Sequence, residues 1–318
     1  MYLCRISCVK LLTTSIGSLP RLHEDLSKAI SLAVDLQLKL GLDILTDGEQ
    51  RTDMITYLVD AFEGLAGEPG KLHIVDKLKP SRKVEETFKV RDFLAAFSHL
   101  RKQGEEKPIK VGVTGPVTFA FTVAMNGKGP YRSLADPSLY LDAAEGVNRV
   151  AAELQSRGAI VQIDEPGISA GFVNPRLAEK AVNAATDGLE PRLTAIHVCG
   201  RLRERTLKHI LRLKNVEVVS LEFAGSPSNL DMLSLIAASG KKLGVGCMKV
   251  NVSSEAEMTT PDEAADIIRR VLKTVGVSRL AYIHPDCGLR RTSLSLARKI
   301  LEQLVALSAS FKQSVSHV

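Results

Sequence analysis

Residues Ala159-Ile160-Val161-Gln162-Ile163-Asp164-Glu165-Pro166 decide the fold. A short apolar run ends abruptly in two acids and a proline. It follows an amphipathic stretch, Leu139–Arg157, and precedes another, Pro175–Asp187. That is one helix–strand–helix unit. The same unit recurs along the chain. The other candidate strands are Leu11–Ser15, Asp43–Thr46, Ile109–Val113, Leu193–Val198, Val216–Leu221, Lys242–Val250 and Leu280–Ile283. The other candidate helices are Glu24–Leu40, Arg203–Leu213, Asn229–Ser239, Pro261–Val275 and Ser293–Leu307. Asp136, Asn174 and Thr260 each precede a proline, the arrangement of an N-cap with proline in the first turn.

Strands that alternate with helices form a parallel sheet, and eight such units close into a (β/α)8 TIM barrel. The stretch 64–91, with Gly64, Gly67, Pro69, Gly70 and Pro80, breaks the pattern and reads as an inserted excursion after the second strand. No linker divides the chain, so residues 1–318 are expected to form a single catalytic barrel domain.

Composition narrows the class. The chain has 318 residues, 45% hydrophobic and 25% charged, which excludes a disordered chain. No apolar run approaches the ~20 residues that span a bilayer, so no membrane association is expected. The net charge of +6 is spread among acids, with one dense cluster at Arg201–Arg205 and Lys208. With 4% aromatics and no Trp, nucleic acid is not an expected partner; the charge reads as a diffuse solvated surface, which could still favour an acidic partner or a phosphorylated cofactor. The five cysteines, Cys4, Cys8, Cys199, Cys247 and Cys287, are odd in number and widely spread. They do not make a secreted disulfide framework, and with no leader sequence evident the expected location is the reducing cytoplasm.

In a barrel of this kind, chemistry sits where the strands end. Here those ends carry Ile16-Gly17-Ser18, Asp47-Gly48-Glu49, Thr114-Gly115-Pro116, Asp164-Glu165-Pro166, His197-Val198-Cys199, Glu222, Asn251 and His284-Pro285-Asp286-Cys287-Gly288. His197 and Cys199 are two apart, so on a strand they share a face. Glu222 closes the next strand, and Cys287 closes the last. One imidazole, two thiols and one carboxylate suit a tetrahedral Zn²⁺. Taken singly, each would read as an ordinary core residue. Cys4, Cys8 and Cys247 lack such partners.

These motifs resemble the C-terminal catalytic barrel of the cobalamin-independent methionine synthase family. The likeness runs in order through Thr14-Ser15-Ile16-Gly17-Ser18, Asp47-Gly48-Glu49, Thr114-Gly115-Pro116-Val117-Thr118, Gln162-Ile163-Asp164-Glu165-Pro166, His197-Val198-Cys199 and Pro285-Asp286-Cys287-Gly288-Leu289. The resemblance implies one catalytic zinc on His197, Cys199, Glu222 and Cys287. It implies a homocysteine site at Ile16, Gly17, Ser18, Glu49 and Asp164, with methionine as product. Two carboxylates suit the substrate ammonium, and the backbone N–H groups of the Gly17-Ser18 turn suit its carboxylate. The bland readings are a positive φ at Gly17 and capping or salt bridging at Glu49 and Asp164.

Two departures bear on the methyl donor. Long members of the family carry an additional N-terminal half that helps bind a polyglutamylated folate. This chain resembles the short, core-type members, whose donor is expected to be methylcobalamin or a corrinoid protein. Long members also have a His near the end of the seventh strand, where Asn251 stands here, and Asn is no general acid. A methyltetrahydrofolate-type donor is the alternative. So is alkyl transfer to another small thiol, although a sulfonate thiol would leave Glu49 and Asp164 without a cation. A decarboxylase of the same barrel type would need more arginines at the strand ends. A basic binding module with a structural zinc would need short-loop ligand spacing. His284 replaces the family's usual Asn and stands close to Cys287 as a supporting group.

Overall fold

The computed structural model describes residues 11–314, and Cys4 and Cys8 lie outside them. Helix α1 (Leu26–Leu40) leads into a short strand, β1 (Leu45–Thr46). A hairpin of β2 (Phe62–Ala66) and β3 (His73–Pro80) follows, then α2 (Phe88–Lys102). Next come β4 (Ile109–Thr114), α3 (Pro116–Asn126), α4 (Pro137–Ser156), β5 (Ile160–Asp164), α5 (Pro166–Ala170) and α6 (Pro175–Ala185). The second half holds β6 (Thr194–Val198), α7 (Glu204–Ile210), β7 (Val218–Glu222), α8 (Leu233–Ser239) and β8 (Lys242–Met248). It ends with α9 (Pro261–Val275), β9 (Leu280–Pro285) and α10 (Leu294–Ser314).

Seven strands form one parallel sheet in the order β1-β4-β5-β6-β7-β8-β9. The segment expected as the first strand, Leu11–Ser15, closes the ring with single bridges rather than a full ladder. Thr14 N donates to Ile283 O at 3.1 Å, and Ile44 N donates to Thr13 O at 3.0 Å. The fold is therefore the expected (β/α)8 TIM barrel, with its seam between β9 and β1.

The local reasons are those visible in the sequence. β4 is buried along its whole length, as a barrel strand flanked by helices must be. Asp136 accepts from Ser138 N, Asn174 from Leu177 N, and Thr260 forms a reciprocal capping box with Glu263. Proline occupies the first turn of α4, α6 and α9.

The excursion differs from expectation at both ends. Its ordered hairpin begins at Phe62, before residue 64, and residues 88–91 already belong to α2. The glycines make the bulge: Gly64 has φ +90°, and a Cβ there would sit 2.6 Å from Lys77 O. The hairpin is fastened to the outer wall. Phe62 stacks on Phe119 of α3 with ring centroids 4.7 Å apart, and Leu78 N donates to the Tyr131 hydroxyl at 2.9 Å.

Helices α2, α3 and α5 have no counterpart among the sequence-based elements. In α3 the cause is clear. Its residues 116–120 are all buried, together with Val123 and Ala124, so the segment shows no polar face to betray its period. Among the described residues no helix is long and apolar enough to cross a membrane.

Candidate active site and metal centre

The chain turns outward at the C-terminal ends of the barrel strands, and there it gathers His197, Cys199 and Cys287. One ligand atom from each lies within 4.8 Å of the others. His197 is held by β6, Cys199 follows that strand, and Cys287 follows β9. The imidazole is 2% exposed. Its Nδ1 lies 3.0 Å from Ser220 Oγ, while its buried Nε2 has no partner. A buried ring nitrogen without a partner breaks the usual rule of satisfied polar atoms. A cation held between it and the two sulfurs accounts for it. A hydrogen bond between the two free thiols favours the thiolate of the pair, holding Cys199 below the ordinary thiol range, and thiolates are what bind metal. One nitrogen and two sulfurs form a soft-to-borderline donor set that fits zinc.

Glu222, expected as the fourth ligand, is not part of this group. Its two oxygens are taken within the adjoining loops: Gly200 N donates to Oε2 at 2.8 Å and Ser226 Oγ to Oε1 at 2.9 Å. Strand pairing brought Glu222 to the right rim, but the turn after β7 supplies it with other donors.

Beside the three ligands is a cavity of about 370 Å³, lined by every other expected site residue: Ile16, Gly17, Ser18, Glu49 and Asp164. The two carboxylates face each other over bare backbone. A Cβ on Gly112 of β4 would lie 2.4 Å from Asp164 Oδ2 and 3.4 Å from Glu49 Oε1. Burial, with the Glu49 charge adding to it, pushes the Asp164 carboxyl well above its ordinary range. Gln162 Nε2 donates to Asp164 Oδ1 at 2.7 Å.

Glu49 Oε1 receives the Lys89 ammonium at 2.5 Å, so the salt-bridging reading holds in part for this residue. Lys89 is completely buried over the Tyr57 ring. Burial works against its charge, but Glu49 and Asp47 outweigh burial and hold it above its usual value. Glu49 has φ +47°, the only non-glycine positive φ among the described residues. Backbone strain of this kind persists where the surroundings fix it, commonly at ligand sites.

The turn Ile16-Gly17-Ser18 is fixed through its carbonyls. Ile16 O accepts from Gln162 Nε2 at 3.0 Å, Gly17 O from Thr46 Oγ1 at 3.0 Å and Ser18 O from Leu289 N at 2.7 Å. Gly17 does not have a positive φ. A side chain there would extend beside Glu49, whose Cδ would be 3.5 Å from the new Cβ. Glycine thus keeps the cavity open rather than making the turn.

Residues 9–310 match the model of the cobalamin-independent synthase catalytic domain. The chain belongs to this family. A methionine synthase from Methanothermobacter marburgensis is 33% identical over 286 residues, covering 89% of each chain. One from Methanocaldococcus jannaschii is 30% identical over 296 residues, covering 92% of this chain and 91% of the relative. Among solved structures, the B12-independent methionine synthase of Shewanella sp. W3-18-1, in complex with selenomethionine, superposes with a TM-score of 0.77 at 24% identity. That match covers 97% of this chain and 100% of the other.

The family motifs divide between chemistry and scaffolding. In Asp164-Glu165-Pro166 the aspartate and the proline line the cavity, while the glutamate turns away from it. The Glu165 carboxylate caps α3 from a distance, accepting from Val117 N at 2.8 Å and from Thr118 N at 3.0 Å. The space it needs explains Gly115, where a Cβ would lie 2.3 Å from the Glu165 side chain. In Pro285-Asp286-Cys287-Gly288, Asp286 accepts from the backbone N–H groups of Phe223, Ala224 and Gly225 and so shapes the loop after β7. Gly288 makes room for Ser18, whose Oγ would lie 2.2 Å from a Cβ there. Sequence reasoning missed Lys89, Gln162 and Ser220. A lysine, an amide and a serine within elements look like surface or core residues until the barrel places them.

Proposed function

We propose that this protein transfers a methyl group to the thiolate sulfur of homocysteine to form methionine, as a zinc-dependent methionine synthase. The observation that carries the reading is the partnerless Nε2 of His197 in reach of Cys199 and Cys287, beside a cavity walled by Asp164 and Glu49. On this reading residues 1–318 act as one cytoplasmic catalytic domain, where the two thiols stay reduced.

Bound zinc supplies one thing: it favours the thiolate of an incoming thiol at neutral pH. His197, Cys199 and Cys287 would hold it. Three protein ligands leave a fourth position for the substrate sulfur, the usual arrangement of a catalytic site. Each Glu222 oxygen accepts one hydrogen bond, from Gly200 or Ser226, and keeps a lone pair with which it could join as a further ligand. The substrate ammonium would lie between Asp164 and Glu49. An ammonium there restores the charged form of Asp164 that burial opposes. Lys89 already occupies one Glu49 oxygen, so Asp164 carries more of the cation's recognition. The backbone N–H groups of Gly17 and Ser18 would receive the substrate carboxylate. A thiolate fixed at three points is positioned for in-line attack on the donor methyl group.

The donor we infer is a methylated corrinoid or corrinoid protein. Asn251 lines the mouth and has no proton to give at neutral pH, which suits a donor whose leaving group needs none. A neighbouring groove of about 1100 Å³, lined in part by Arg201, Arg203 and Arg205, has room for a donor much larger than homocysteine.

The test is an assay of purified, zinc-loaded protein with homocysteine, offering methylcobalamin and methyltetrahydrofolate separately. Methionine formation with methylcobalamin is expected, together with about one zinc per chain. Methionine from the folate alone overturns the corrinoid donor. No methionine from either, with alkylation of a different small thiol, overturns the substrate.

A further inference from the structure

Three hydrogen-bonding contacts lead away from the metal group into the barrel wall. His197 Nδ1 is 3.0 Å from Ser220 Oγ, Ser220 Oγ is 2.9 Å from His284 Nε2, and His284 Nδ1 is 2.7 Å from the Pro285 carbonyl. All three side chains are buried, at 2%, 0% and 0% exposure. The two rings stand nearly perpendicular, with centroids 5.9 Å apart.

The protons in this chain can be placed from its far end. A carbonyl oxygen only accepts, so His284 carries its proton on Nδ1. Among the described residues no carboxylate touches that buried ring, so it stays neutral and its Nε2 only accepts. Ser220 has one hydroxyl proton and donates it to that Nε2. Ser220 Oγ then faces His197 as an acceptor, beside the Ser220 backbone carbonyl, which can only accept, so His197 Nδ1 carries the proton. A neutral imidazole has one N–H. The remaining nitrogen, Nε2, is a bare lone pair, and it is the atom without a partner.

The link crosses strands that would ordinarily block it. His197 lies on β6, Ser220 on β7 and His284 on β9, with β8 between the last two. The β8 residue beside Ser220 is Gly244. A Cβ there would lie 2.6 Å from Tyr282 Cε2, 3.1 Å from Ser220 Cβ and 3.2 Å from His284 Nε2, so the glycine makes room for the Tyr282 ring as well as for the link. Gly244 has no positive φ to explain it. What it provides is the gap through which serine and histidine meet.

We propose that Ser220 and His284, meeting across the gap at Gly244, are positioning residues that fix His197 as the Nδ1–H tautomer and so aim a bare Nε2 lone pair at the two cysteine sulfurs. This rests on the metal reading of His197, but its first consequence needs no metal. Orienting partners of metal-bound histidine are generally worth about 10–100-fold in metal affinity.

The test has two parts. In zinc-free protein labelled with ¹⁵N at histidine, His197 should show a protonated Nδ1 and an unprotonated Nε2. His284→Leu leaves the Ser220 hydroxyl free to donate to Nδ1, so it should populate the Nε2–H form. By chelator competition, His284→Leu and Ser220→Ala should each bind zinc about 10–100-fold more weakly. Ser220→Thr and His284→Asn, which keep the required donors and acceptors, should retain near wild-type affinity. An Nε2–H tautomer in the zinc-free wild-type protein overturns the proposal. So does His284→Leu with unchanged tautomer and affinity. If His284→Leu fails to fold, the wild-type spectrum still decides. A wild-type chain that binds no zinc would sink the metal reading, while the spectrum would judge the hydrogen-bonded link separately.

Discussion

The two ends of the barrel are built to opposite specifications. At the N-terminal end Ile44, Ala195, Val218 and Tyr282 pack together with Leu12, Ile160 and Ala281 against them. That cluster is apolar, apart from the buried Tyr282 hydroxyl, which has no partner, and Arg192, Glu217 and Lys242 stand around it. At the C-terminal end the same strands present two facing carboxylates, a partnerless imidazole nitrogen, two coupled thiols and a residue in a strained backbone conformation. One end is shaped for packing. The other keeps unsatisfied groups that only a ligand completes, and that is where stability is spent.

Substitutions can break this contrast in graded fashion. Cys287→Ser should have the largest effect: zinc content near zero and methionine formation at background, with the melting temperature of the zinc-free protein little changed. Metal analysis, turnover and calorimetry on one preparation check all three. Asp164→Asn removes the charge that pairs with the substrate ammonium. A hydrogen bond to a charged group is worth about 1.5–3 kcal/mol, so the homocysteine KM should rise about 10–100-fold. Zinc binding should stay as in wild type; a KM within twofold would remove Asp164 from the amino-acid site.

The scaffold residues inside the motifs make smaller, different predictions. Gly115→Ala drives a Cβ into the Glu165 side chain and should cost about 1–3 kcal/mol of stability in urea titrations. Glu165 itself gives a pH signature. Burial raises its pKa from an unfolded value near 4.5 to about 7. The folded state therefore holds a proton that the unfolded state has lost. Stability from this group is full below the unfolded pKa and is lost as pH rises towards 7, by at most about 1.4 kcal/mol per pH unit. Glu165→Gln should remove that part of the slope between pH 5 and 7. At the opposite end, Ile44→Val should cost only about 0.5–1.5 kcal/mol and leave kcat and KM unchanged. A fall in turnover there would mean that the two ends are coupled.

The same contrast explains what the sequence discloses. The barrel is legible because eight apolar strands are interleaved with seven amphipathic helices, three of them visibly capped, and Pro261–Val275 can be bounded to the residue. Helix α3 is hidden because it is buried almost all round. His197, Cys199 and Cys287 are legible because strand periodicity and strand order place them together. Glu222 is legible in part: pairing places it on the rim, where its charge acts on both thiols, but the hydrogen bonds it accepts from Gly200 and Ser226 could not be read from spacing. Lys89 and Ser220 are invisible for a related reason: their roles depend on neighbours 40 and 23 residues away.

The seam of the ring has a consequence for handling and storage of this enzyme. The stave that carries Ile16, Gly17 and Ser18 is joined to each neighbour by one bridge, and its first residue, Leu11, is tied to the last helix through the Ser308 hydroxyl. Loosening there would slacken the turn proposed to take the substrate carboxylate before it disturbed His197, Cys199 or Cys287. A partly denatured sample should therefore lose grip on the amino acid while still retaining its ion, and deuterium uptake should begin at Thr14 ahead of β5 and β6.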